Sequence, residues 1–177
     1  MAELPDPWRT EVWHPLSVHL PIVALSLGTG LWLLGRVLGR RARFAFLLPA
    51  GRLLLVLGVL GAWGAVYTGS LADGVVGRTL CDPTVAKLHE QLAWATALTF
   101  SAALALDMLL FVGLLGVGGR GRILGRRPWR QAVTGLVATA MLGGTGMLVY
   151  AAHLGGTLVY QQAAAVYRPA ADCRAFE

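Results

Sequence analysis

The sequence predicts an all-α integral membrane protein: a four-helix bundle running up-down-up-down, with both termini on the outer side. Three observations predict it. Four long apolar segments occupy most of the 177 residues. The composition is 56% hydrophobic and 14% charged, with mean hydropathy +0.62, whereas a soluble domain carries about 25% charged residues. The few charges present are sorted by position, with arginines gathered in two of the three connections between segments.

The first apolar segment runs from Leu16 to Leu38, the second from Arg52 to Leu71, the third from Leu92 to Leu115 and the fourth from Ala132 to Ala152. Each is long enough to cross about 30 Å of hydrocarbon as a helix. Little remains for a soluble domain, so residues 1–177 read as a single transmembrane domain with a short periplasmic C-terminal tail.

Arg36, Arg40, Arg41, Arg43 and Arg52 lie in or beside the first connection, and Arg120, Arg122, Arg126, Arg127 and Arg130 in the third. These are ten of the fifteen basic residues. The positive-inside rule makes both connections cytoplasmic and places both termini outside. The net charge of +6 is therefore a topology signal. Basic loops this short, joining membrane helices and lacking interleaved aromatics, do not read as a nucleic-acid surface.

The first segment reads as a retained helix. Glu3 and Asp6 precede it, and its positive cluster follows the apolar run, the reverse of a signal peptide. Trp13-His14-Pro15 looks like the opening of that helix, since proline is tolerated in a first turn. Pro21 should bend its outer end. Asp82-Pro83-Thr84 reads as cap and first position of the third helix, which then starts outside the membrane and brings Lys87, His89 and Glu90 to the interface. Gly143-Gly144-Thr145-Gly146 gives the fourth helix a bare face for close approach. Cys81 and Cys173 both fall on the predicted oxidising side, which suggests a disulfide pinning the tail to the outer loop.

Four histidines, His14, His19, His89 and His153, all fall at the outer end. Neutral imidazole is a good donor to iron, copper or zinc. His14 and His19 are five residues apart and do not share a face of a straight helix. Two imidazoles from different helices of a bundle match the axial ligands of haem b. The best pair is His19 with His89, on the first and third helices. His14 with His153 ranks second. Trp63, Tyr67, Trp94 and Tyr150 could line a flat apolar pocket between them. No CxxCH occurs, which excludes covalent c-type haem. A three-histidine copper or zinc site, with Glu90 or Asp73 as a further ligand, is the alternative. Asp107 is an acid within the third segment, and Arg52 is its expected partner.

His14-Pro15-Leu16-Ser17-Val18-His19-Leu20-Pro21-Ile22 resembles the HPLxVHxPI signature of a family of small bacterial four-helix inner-membrane proteins of unknown function. Thr68-Gly69 with Asp73, His89, and the run Leu154-Gly155-Gly156-Thr157-Leu158-Val159-Tyr160 are similar to its later motifs. The resemblance covers nearly the whole chain and departs after Tyr160, where Gln161-Gln162-Ala163-Ala164-Ala165 replaces a stretch often carrying His and Gly. Relatives are fused to c-type cytochrome or Rieske domains, which implies an electron-transfer setting. The expectation is an electron-transfer subunit rather than a stand-alone enzyme. It would bind b-type haem near the periplasmic face and relay electrons between the quinol pool, or a complex, and a periplasmic carrier such as a cytochrome c. Two other readings stay open: a non-redox structural subunit of a larger membrane complex, and a periplasmic-side copper- or zinc-binding membrane protein.

Overall fold

The computed structural model describes residues 8–114 and 127–166. Within them the elements are α1 (Thr10–Ser17), α2 (His19–Leu38), a short 3₁₀ turn (Ala42–Phe44), α3 (Leu47–Val76), α4 (Pro83–Leu114) and α5 (Arg127–Gln162). No strand occurs among the described residues. Four stretches are long and apolar enough to cross a membrane: Thr10–Leu38, Ala42–Val76, Pro83–Gly113 and Pro128–Gln162. The chain is a multi-pass membrane protein.

The break between α1 and α2 has a local cause. Pro21 has no N–H for the Ser17 carbonyl, and its ring crowds that carbonyl. Regular helix therefore stops at Ser17, Val18 stands between the two pieces, and α2 resumes at His19. The Ser17 hydroxyl bonds within its own turn to the His14 carbonyl (3.0 Å) and across to the Thr68 hydroxyl on α3 (2.8 Å).

The helices are longer than the apolar segments. The second segment was read as Arg52 to Leu71, and α3 runs from Leu47 to Val76. The fourth was read as ending at Ala152, and α5 continues to Gln162, so His153 lies inside it and not at its end. Hydropathy marks only the part of a helix that sits in hydrocarbon; the outer turns continue it with more polar residues. At the start of α4 the Asp82 carboxylate accepts from the Thr84 N–H (2.9 Å) and hydroxyl (2.6 Å), the cap that the sequence predicts. Those two bonds, the hydroxyl's first, hold the Asp82 carboxyl below its ordinary range.

Each span packs on the next in sequence, and α2 also meets α5, so the four enclose one core. Along α1, α2 and α3 the contact partners fall in number on one side as they rise on the other: Gly35 with Leu48, Gly51 with Trp32, Gly58 with Leu25, Gly69 with His14. A Cβ at Gly51 would stand 2.7 Å from the Trp32 backbone nitrogen, so only glycine lets α2 and α3 approach this closely. The core holds Leu25, Trp32, Leu55, Phe100, Val137 and Met141, all fully buried. Phe100 lies against Gly144, while Gly143 and Gly146 have nothing within 4 Å, so of the bare run only Gly144 serves a close approach. Leu20, Val23, Leu27, Leu34 and Val37 form an exposed apolar stripe on α2, the side presented to lipid.

Asp107 is fully buried and pairs with Arg52, as its position predicts, with Nε 2.6 Å away. Arg36, read from the sequence only as a loop charge, is a second partner at 2.8 Å.

Candidate functional site: a histidine pair facing one cavity

His14 sits in the second turn of α1 and His89 in the second turn of α4. Their ring centres are 5.9 Å apart, with the ring planes at 82°. Each ring is fixed in the same way. Nδ1 of His14 donates to the Ala65 carbonyl of α3 (3.0 Å), with the Thr68 hydroxyl farther off at 3.4 Å. Nδ1 of His89 donates to the Ala151 carbonyl of α5 (2.8 Å).

A carbonyl oxygen only accepts, so Nδ1 carries the proton in both rings. Nε2 is left as the basic nitrogen in each, without a hydrogen-bond partner among the described residues. Bonding one ring nitrogen to a backbone carbonyl sets the tautomer and aims the other, the arrangement that supports histidine as a metal ligand.

The supporting backbone repeats too. Gly69 lies four residues after Ala65, and Gly155 four after Ala151. The helix N–H of each glycine therefore closes on the same carbonyl that takes the histidine. A Cβ at Gly69 would come 3.1 Å from His14 Cε1, and one at Gly155 would come 3.2 Å from His89 Cε1. Each glycine thus clears the space its ring occupies. Ala65-Val66-Tyr67-Thr68-Gly69 and Ala151-Ala152-His153-Leu154-Gly155 are the same device used once per helix pair.

Both rings line a cavity of about 530 Å³, within the range of about 300–1,000 Å³ usual for cofactor-sized sites. Its walls are mostly apolar, with Asp73, Glu90 and Trp94 also contributing. His19 lines the same cavity but is an exposed residue, and no ring contact joins it to His89. His153 is exposed, stacks on Tyr150 with ring centres 6.4 Å apart, and does not line the cavity. The structure therefore brings together His14 and His89. His19 lines the same cavity as that pair, and His153 does not line it.

The expected aromatic lining is reduced to one residue. Trp94 lines the cavity; Trp63 stacks edge-on behind it at 5.4 Å and donates to Ser101; Tyr67 and Tyr150 are exposed. Cys81 lies in the exposed turn before α4, and Cys173, its expected partner, lies outside the described residues.

The donor set separates the two kinds of metal chemistry. A zinc or copper site built by this chain would need about three protein ligands. No group of three or more His, Cys, Asp or Glu stands close enough for that among the described residues. A haem iron takes its equatorial ligands from the macrocycle and needs only two from the protein. The described residues bring two imidazoles together, a donor number that suits haem and falls short for zinc or copper.

The chain matches no protein-family model, no curated protein and no solved structure.

Proposed function

We propose that this protein is an electron-transfer subunit of a bacterial inner membrane, holding one b-type haem between His14 and His89 near the periplasmic end. It would relay electrons between the quinol pool, or a larger complex, and a periplasmic carrier. The observation that carries the reading is the matched pair of imidazoles. They come from different helix pairs, each is pinned through Nδ1–H to a backbone carbonyl, and both rings line one shared cavity. When bound, haem supplies one-electron redox chemistry. The chain's part is to hold the two rings in one tautomer and orientation and to keep water from the site with apolar walls.

In this reading the bundle runs up-down-up-down, with both arginine-rich connections cytoplasmic and both termini periplasmic. The cavity then opens on the side where a soluble carrier docks. The resemblance to membrane segments fused with c-type cytochrome or Rieske domains supports the same setting. Cys81 and Cys173 would be joined as a periplasmic disulfide; thiol labelling of both without reductant would refute that bridge.

The test is the visible spectrum of the purified protein, oxidised and then reduced with dithionite. A sharp reduced α-band with non-covalently extractable haem supports the proposal. Protein purified from haem-sufficient cells with no such band, and none after haem is added, overturns it. One observation favours a second reading, a purely structural subunit. Both histidine bonds join neighbouring helices, α1 to α3 and α4 to α5, and would serve as interhelical ties without any cofactor.

A further inference from the structure

About 27 Å along α4 from His89, at 1.5 Å per residue, lies a second polar cluster that the histidine site does not use. Asp107 is fully buried and receives two guanidinium groups, from Arg36 at 2.8 Å and from Arg52 at 2.6 Å. One carboxylate against two guanidinium groups leaves a net charge of +1 at the end of a membrane bundle. Uncompensated charge there is costly.

Hydrogen-bonding capacity is in surplus too. Each guanidinium has five donors, and the carboxylate takes one from Arg36 and two from Arg52. Among the described residues Arg36 Nε is buried with no partner, and so is Nε1 of Trp32, a fully buried residue whose ring lies 4.6 Å beneath the Arg36 guanidinium. Phe111 lies 4.4 Å from the Arg52 guanidinium in the same manner. One aromatic ring covers one flat side of each guanidinium, and the N–H donors of the planar fork point out along its edges, where a further acceptor would bind. Both side chains reach the surface, at 26% and 16% exposure. Arg36 stands in the last turn of α2, and the exposed Arg40, Arg41 and Arg43 follow directly.

We propose that Arg36 and Arg52, held by Asp107, form a binding site for a phosphate group, filled by the phosphodiester of an anionic lipid. Phosphate supplies what the cluster lacks: one negative charge, and oxygens spaced for the planar fork of arginine. The helix ends set the depth of the lipid headgroup layer, and basic pockets between membrane helices on the cytoplasmic side take such headgroups. Asp107 neutralises one arginine and orients both, leaving the second positive charge for the lipid.

The purified chain is reconstituted in vesicles of phosphatidylcholine alone and of phosphatidylcholine with phosphatidylglycerol, and its thermal unfolding is compared. Anionic lipid should raise the melting temperature. Arg36→Gln should lose most of that increment, while Arg43→Gln, which removes the same charge from the exposed loop, should keep it. If Arg36→Gln does not fold, Asp107→Asn provides the test, because freeing the second guanidinium should enlarge the increment beyond that of the unchanged chain. Inorganic phosphate added to detergent-solubilised protein separates the sources. An Arg36-dependent increment from phosphate alone would overturn the lipid as occupant. No increment in vesicles, an equal loss in Arg36→Gln and Arg43→Gln, or a smaller increment in Asp107→Asn would overturn the site.

Discussion

The two ends of the bundle treat buried polar groups in opposite ways. At the arginine-rich end, Asp107, Arg36 and Arg52 have drawn together until the carboxylate is saturated and fully buried. At the histidine end, His14 and His89 face each other around a cavity and make no hydrogen bond to one another. Charged groups in hydrocarbon collapse onto opposite charges because nothing else there solvates them. Neutral imidazoles are satisfied on one side by a backbone carbonyl, which leaves the other nitrogen uncommitted. What is spare at the histidine end is an acceptor nitrogen, which in the proposed reading can hold a metal; what is spare at the arginine end is a donor, Arg36 Nε.

That contrast predicts unequal responses to substitution. The largest effect is expected at the closed end. Asp107→Ala leaves two guanidinium groups without their carboxylate and should cost about 3 kcal/mol, the low end of what breaking a buried pair costs because both arginines reach the surface. Thermal unfolding in detergent measures it. An unchanged melting temperature would show that the triad does not hold the bundle together. Any haem spectrum should survive this change, since the cavity is far from Asp107.

Glycine substitutions sharpen the comparison. Gly51→Ala places a Cβ 2.7 Å from the Trp32 backbone, where nothing flexible can yield, and should cost about 1–3 kcal/mol. Gly69→Ala and Gly155→Ala meet only an imidazole edge, at 3.1 and 3.2 Å. They should change stability by about 1 kcal/mol or less while tilting the histidine they touch, read as a shifted or weakened haem spectrum in a protein that still folds. Gly64→Ala has nothing within 4 Å and serves as the control. If Gly69→Ala behaves like Gly64→Ala in the spectrum, the glycines are not cradles for the rings.

The smallest effect is expected at the end of α5. The Ala164 N–H closes on the Leu158 carbonyl at 2.9 Å, while Ala163 adopts φ 51°. The helix thus stops with alanine in the left-handed conformation that glycine adopts at no steric cost. Ala163→Gly should stabilise the chain by about 1 kcal/mol, seen as a small rise in melting temperature with no spectral change.

The spans, the Asp82 cap and the Asp107–Arg52 pair were legible because each depends on a few neighbouring residues or on one rare charge in an apolar run. The histidine pairing was not. Spacing along one helix gives directions about that helix's own axis but not how two helices are rotated toward each other, so His14 and His19 could not be ranked against His89. A signal was nonetheless present: alanine and glycine four residues apart recur in the second helix of each pair, at Ala65 and Gly69 and at Ala151 and Gly155. Arg36 escaped because an arginine at a helix end reads as a topology signal, although its long side chain reaches back to Asp107.

The most direct test of the site is haem content in four single substitutions, with folding checked by thermal unfolding. His14→Ala and His89→Ala should each abolish the reduced α-band, because one axial ligand and its carbonyl tie are lost together. His19→Ala and His153→Ala should leave it intact. Haem retained in both His14→Ala and His89→Ala, or lost in His19→Ala while His14→Ala keeps it, would contradict the assignment.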